Sequence, residues 1–154
     1  MQKRKKTRVV KVGNVSIGGE NPVRVQSMTS TRTENIDETL DQIERLKEAG
    51  CELFRLAIPH KKALEAFKII RREVDIPLIA DIHFNYRLAI GAIEMGADKI
   101  RINPGNIGSK DRVEKIIDAA RSNEVPIRIG VNSGSLELDL IDKYGGVTPE
   151  AMVE

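Results

Sequence analysis

Two hydrophobic periods alternate along this chain. Ile36, Leu40, Ile43 and Leu46 recur three or four residues apart. So do Leu64, Phe67, Ile70 and Val74, then Leu88, Ala89, Ala92, Ile93 and Met95, then Val113, Ile116, Ile117 and Ala120. That spacing is one apolar face of an α-helix. Between these stripes lie short β-rich runs of period two: 23–28, 52–58, 77–83, 99–103 and 126–132. The punctuation agrees. Asn35 and Glu38 predict a capping box, Asn85 and Ser109 predict two further caps, and Gly50 and Gly96 close helices. Thr148-Pro149-Glu150 predicts the start of a last helix. Ahead of the pattern, residues 8–18 predict a hairpin: Val9, Val10 and Val12, a Gly13-Asn14 turn, then Val15 and Ile17.

Strict strand–helix alternation predicts parallel strands joined by right-handed crossovers. Five strands suit either an open sheet or part of a barrel. The side-chain alternation separates the two. On each strand one face is apolar: Val23/Val25, Phe54/Leu56, Ala80/Ile82, Ile100/Ile102 and Ile127/Ile129/Val131. That face must carry the helices. The other face carries Arg24, Gln26, Arg55, Asp81, His83, Arg101, Asn103, Arg128 and Asn132. An open sheet covered by helices on both faces would bury four arginines, at high cost. A barrel exposes its inward face at the C-terminal mouth, where active sites sit. The expected fold class is therefore α/β, the N-terminal part of a (β/α)8 TIM barrel: about five βα units plus an N-terminal β-hairpin, since a whole barrel takes about 250 residues. The hairpin is expected across the barrel's bottom.

Composition narrows the function. With 40% hydrophobic and 31% charged residues the chain reads as a soluble globular domain. No apolar run is long enough to span a membrane, and the N-terminus lacks the apolar stretch of a secretory signal. The expected location is cytoplasmic. The net charge of +2 hides an asymmetry, because Lys3, Arg4, Lys5, Lys6 and Arg8 lie in an acid-free start. Residues 1–8 read as a basic mobile tail and 9–154 as the partial barrel. Beyond the tail, 20 basic residues face 23 acidic ones, which argues against a nucleic-acid surface. The single cysteine, Cys51, excludes a disulfide scaffold and a self-contained iron–sulfur or cysteine-rich zinc site. It reads as a small buried hydrophobe.

Four arginines on one mouth call for an anion, and phosphate suits the guanidinium fork. The alternative is internal ion pairing, with Asp81 as the only strand carboxylate. The loops 103–109 and 132–135 could aim backbone N–H groups at the same anion, or be ordinary βα turns. Asp81 and His83, two apart on one strand, are candidates for acid–base or hydroxyl-binding work, or a histidine satisfied by its neighbour. His60 reads as a surface loop residue.

The runs Val25-Gln26-Ser27-Met28-Thr29, Ala80-Asp81-Ile82-His83-Phe84, Arg101-Ile102-Asn103-Pro104-Gly105-Asn106 and Arg128-Ile129-Gly130-Val131-Asn132-Ser133-Gly134-Ser135 resemble the 4-hydroxy-3-methylbut-2-enyl diphosphate synthases of the non-mevalonate isoprenoid pathway. The resemblance extends over the chain after its basic start. It implies an oxidoreductase that reductively opens 2-C-methyl-D-erythritol 2,4-cyclodiphosphate. It also implies a [4Fe–4S] cluster on three cysteines of a C-terminal domain, and flavodoxin or ferredoxin as electron donor. In the homodimer it implies, one subunit's cluster domain closes over the other's barrel. The family's diphosphate-binding arginines match Arg24, Arg55, Arg101 and Arg128, and its polar barrel residues match Asp81, His83, Asn103 and Asn132. The later strands and the cluster domain have no counterpart here. The expectation is an N-terminal fragment, about five-eighths of a barrel, that holds no metal and is inactive alone. Two rivals are a different phosphate-binding barrel enzyme, such as a pterin-binding synthase or transferase, which would share the hairpin and the alternation, and a non-catalytic half-barrel module.

Overall fold

The computed structural model describes residues 5–154. The hairpin comes first, β1 (Val10–Val12) against β2 (Val15–Ile17), antiparallel, with Gly13 at φ 55° in its turn. Then come β3 (Gln26–Met28), α1 (Ile36–Glu48), β4 (Leu53–Ala57), α2 (Lys61–Glu73), β5 (Leu78–Ile82), α3 (Tyr86–Glu94), β6 (Lys99–Ile102), α4 (Pro104–Ile107), α5 (Lys110–Ser122) and β7 (Ile127–Ile129). A 3₁₀ turn (Ser133–Ser135), α6 (Leu138–Tyr144) and α7 (Pro149–Val153) follow. Strands β3 to β7 pair in chain order and are all parallel, as the alternation requires.

On the three inner strands β4, β5 and β6 the two faces separate as predicted. Val23, Val25, Ile129 and Val131, expected under helices as well, are instead 83%, 55%, 66% and 45% exposed, because they lie on or beside the two edge strands β3 and β7. Phe54, Leu56, Ala80, Ile82, Ile100 and Ile102 are buried under helix residues such as Phe67, Ile70, Ala92 and Ile116. Burying each large apolar side chain contributes roughly 1.5–3 kcal/mol. On the opposite, inward face a small second core forms at the lower, N-terminal end, where Val12 of the hairpin meets Leu53 and Ile79. Gly13 allows this closure: a Cβ there would lie 2.7 Å from Asp98 Oδ1, which marks how closely the turn packs under the sheet. The hairpin thus covers the bottom of the partial barrel.

Several local expectations change. β3 is shorter than predicted because a side chain replaces part of its ladder: Val25 N–H donates to Glu52 Oε2 at 2.9 Å. Asn35 forms no capping box; its amide instead donates to Glu38 Oε2 at 3.0 Å. Ser109 precedes α5 without a side-chain cap bond. Asn85 and Thr148 do cap, accepting from Arg87 N and Ala151 N. The short helices α4 and α6 were not predicted, because neither is long enough to show a stripe. Half of the expected mobile tail lies outside the described residues. Within the remainder, Thr7 Oγ1 accepts from Gly19 N–H at 2.9 Å.

Candidate functional site

The register places Asp81, Arg101 and Arg128 side by side across β5, β6 and β7. Arg55 stands one step lower, opposite Ile79. Asp81 is the hub. It is 1% exposed. Arg101 Nη1 donates to Oδ1 at 3.2 Å. Arg55 Nε lies 3.6 Å and His83 Nε2 3.3 Å from Oδ2. A buried carboxylate is tolerated only when its charge is answered, and here three nitrogen groups answer it. The internal ion pairing weighed as an alternative is thus present, and it fixes the guanidinium groups at the upper end of the sheet.

Two glycines make room for this arrangement. A Cβ at Gly130 would stand 2.7 Å from Arg101 Nη2 and 2.8 Å from its Cζ, so the guanidinium lies against bare backbone of the neighbouring strand. A Cβ at Gly105 would collide with the Ser135 carbonyl oxygen, so the two upper loops touch there. Asn103, 1% exposed, ties them together. Its Oδ1 accepts from Gly105 N–H at 3.2 Å and its Nδ2 donates to Ser135 Oγ at 2.7 Å. Ser135 Oγ also donates to the Asn132 carbonyl at 2.9 Å. Asn103 and Asn132 are thus joined through Ser135.

Arg24 does not join the group. It lies at the lower end of the sheet, where Nη1 meets Glu52 Oε1 at 2.6 Å and Nε donates to the Ser16 carbonyl at 3.2 Å. The alternation assigned its face correctly. Its height and its partner, just ahead of β4 and 28 residues away, exclude it from the cluster. The Val25 N–H and the Arg24 guanidinium hold the Glu52 carboxyl below its ordinary range.

His60 has a structural role: its Nδ1 accepts from Ala63 N–H at 3.3 Å at the start of α2, and its Nε2 lies 3.5 Å from Glu34 Oε1. Cys51 is buried and its thiol donates to the Leu53 carbonyl at 3.2 Å, at the lower end of β4. An iron–sulfur cluster needs several thiolates, and this chain has one cysteine. Its residues therefore do not fit that cluster. Among the described residues no group of three or more His, Cys, Asp or Glu is placed to hold a metal ion. A cavity of about 400 Å³ lies beside the upper loops, lined by Asn103, Gly105, Ile129, Ser135 and Leu140 among others. Arg55, Asp81, Arg101 and Arg128 do not line it; they occupy the inward face of the sheet.

A family match separates this chain from the pterin-binding rival. Residues 7–154 match the GcpE TIM-barrel domain. The chain belongs to the GcpE family. It is 57% identical over 151 residues to the 4-hydroxy-3-methylbut-2-en-1-yl diphosphate synthase (flavodoxin) of Caldanaerobacter subterraneus, covering 98% of this chain and 42% of that protein. The protein of the same description from Nitratidesulfovibrio vulgaris is 59% identical, over 98% of this chain and 39% of the relative. The chain therefore spans about two-fifths of the length of these GcpE relatives. Among solved structures it is similar to dihydropteroate synthase from Yersinia pestis, with TM-score 0.63 and 13% identity over 94% of this chain and 57% of that one. It is also similar to the enzyme from Xanthomonas albilineans, with TM-score 0.61 and 17% identity over 89% and 54%. At such identity the likeness concerns the fold alone. It explains why a pterin-binding barrel was a fair rival from the hairpin and the alternation. Among the described residues of this GcpE chain, no helix is long and apolar enough to cross a membrane.

Proposed function

We propose that this chain forms the diphosphate-binding face of an enzyme that reductively opens 2-C-methyl-D-erythritol 2,4-cyclodiphosphate to 4-hydroxy-3-methylbut-2-enyl diphosphate. The observation that carries the reading is the inward face itself. Arg101 is hydrogen-bonded to Asp81, and Arg55 lies 3.6 Å from the same carboxylate with its guanidinium donating to Met28 Sδ at 3.0 and 3.1 Å. Arg128 stands in the same row as Arg101 with no carboxylate bound to it among the described residues. Guanidinium groups fixed before the ligand arrives lose little freedom on binding it. Their forks match the oxygens of a phosphate.

In this reading Arg55, Arg101 and Arg128 bind the two phosphates. When the carbon–oxygen bond of the ring breaks, negative charge grows on the departing phosphate oxygen, and the arginines stabilise it. Asp81 orients Arg55 and Arg101. His83, half exposed beside Asp81, faces the substrate's hydroxyl groups as donor or acceptor. Asn103 and Asn132 hold the upper loops, whose N–H groups border the anion. The reduction draws electrons from a carrier, flavodoxin by the description of the relatives or ferredoxin. The cluster, the closing domain and the second subunit of a homodimer belong to parts of the whole protein beyond these residues. A cytoplasmic location suits this reading.

The test is a calorimetric titration of the cyclic diphosphate into the chain, with 7,8-dihydropteroate as the comparison ligand. Saturable binding of the diphosphate, displaced by inorganic pyrophosphate and absent for the pterin, is expected. Binding of the pterin without binding of the diphosphate contradicts the reading.

A further inference from the structure

The inward face holds one more cation, to which no role has been assigned. Lys99 opens β6 two residues before Arg101, so alternation turns its side chain to the same face. It pairs with Ile79 on β5, at the level of the lower core. On the other side, Ile100 pairs with Ile127 and Arg101 with Arg128. Arg128 is therefore its diagonal neighbour, one step higher. Lys99 is half-buried, and its ammonium makes no hydrogen bond or ion pair with any described residue. Burial, and then the charge of Arg128, push it below the ordinary lysine range.

The contrast with Asp81 is informative. The carboxylate on this face answers Arg55 and Arg101. Neither Lys99 nor Arg128 has such a partner among the described residues. Apart from the Arg24–Glu52 pair, four basic residues (Arg55, Lys99, Arg101 and Arg128) thus share the face with one carboxylate among the described residues, Asp81. Like charges held together in a partly desolvated place are unfavourable until an anion joins them. The surplus sits on the Lys99–Arg128 side.

We propose that Lys99 is an anion-binding residue that forms, with Arg128, a second phosphate subsite beside the Asp81-anchored pair. The ligand is a diphosphate whose one phosphate takes Arg55 and Arg101 and whose other takes Arg128 and Lys99. This rests on the diphosphate reading above and extends it to a residue outside the motif arginines. The long lysine stem lets the ammonium reach up from its lower position.

The experiment is calorimetry with inorganic pyrophosphate on the wild type, Lys99→Gln, Lys99→Met, Lys99→Arg and Arg101→Ala, each checked for folding by circular dichroism. Loss of one charge-assisted contact predicts affinity lowered at least about tenfold in Lys99→Gln and Lys99→Met. Lys99→Arg keeps the charge and stays within about threefold of the wild type, because a guanidinium can replace the ammonium at a phosphate. Lys99→Met retains the aliphatic volume, so it decides the matter if Lys99→Gln fails to fold. A lysine with a merely structural role gives lost stability with unchanged affinity, and that result overturns the proposal. If the wild type and Arg101→Ala bind alike, or neither binds, the diphosphate reading itself fails. If the wild type binds, Arg101→Ala weakens, and Lys99→Met binds like the wild type, only the Lys99 inference fails.

Discussion

Arg24 and Arg101 stand on the same face of one sheet, at opposite ends. At the lower end, Arg24 is neutralised by its own Glu52 at 2.6 Å and by the Ser16 carbonyl, and the hairpin covers the barrel beside it with Val12. At the upper end, Arg101 shares Asp81 with Arg55 and His83, and Arg128 lies beside it without a carboxylate. One end closes the fold; the other keeps a surplus of positive charge on the inward face. Residue type does not separate the two arginines. The local supply of carboxylates and apolar cover does.

That division can be broken at either end. The largest effect is expected from Leu53→Ala, which opens a void beside Val12 and Ile79: stability should fall by about 3 kcal/mol in urea titration, with pyrophosphate affinity unchanged in the folded protein. If anion affinity falls while stability holds, the lower core belongs to the site after all. Asp81→Asn removes the hub charge and leaves two guanidinium groups facing each other. A loss of about 2–3 kcal/mol is expected, somewhat less than for a sealed interior because the arginines reach solvent. An unchanged denaturation midpoint would show that the hub anchors nothing.

Gly130→Ala should act more gently, by displacing Arg101. Pyrophosphate affinity is expected to drop about tenfold, the size of one weakened charge-assisted contact. Gly134→Ala, where a Cβ meets nothing within 4 Å, should bind like the wild type. Equal behaviour of the two alanine variants would remove Gly130 from the account.

The smallest effect is expected at the lower end. The Glu52 carboxyl is held low by the Val25 N–H and then by Arg24. A depressed folded value means that its stabilising contribution is present above the unfolded value of 4.5 and is lost as pH falls through the lower, folded value. Glu52→Gln should therefore flatten the acid limb of the stability curve and leave the neutral region nearly unchanged. A flattened alkaline limb instead would contradict the assignment.

Much of this was legible from alternation. Phe54 and Leu56 faced the helices, Arg55, Asp81 and Arg101 faced inward, and the five strands paired in chain order, because a period of two with one apolar face leaves few other arrangements. Three things were not legible, for physical reasons. Arg24 has the right face, but its partner, Glu52, depends on the register between two strands. Gly130 carries no side chain, so its use as a bed for Arg101 appears only when the strands are side by side. Lys99 obeys the same alternation as Arg101, but the sequence does not show that its neighbouring strands leave the ammonium without a carboxylate partner. The helix-cap motif Asn35–Glu38 misled because the two side chains bond each other.

The central claim is that the upper end binds a phosphate-rich anion and the lower end does not. The direct measurement is the affinity of inorganic pyrophosphate for Arg24→Ala and Arg101→Ala, measured side by side by calorimetry. Both substitutions remove a guanidinium from the same sheet face, so net charge is matched. The account predicts that Arg101→Ala loses at least about tenfold in affinity while Arg24→Ala stays within about twofold of the wild type. Equal losses would reduce the binding to overall charge, and a loss in Arg24→Ala alone would place the site at the wrong end of the sheet.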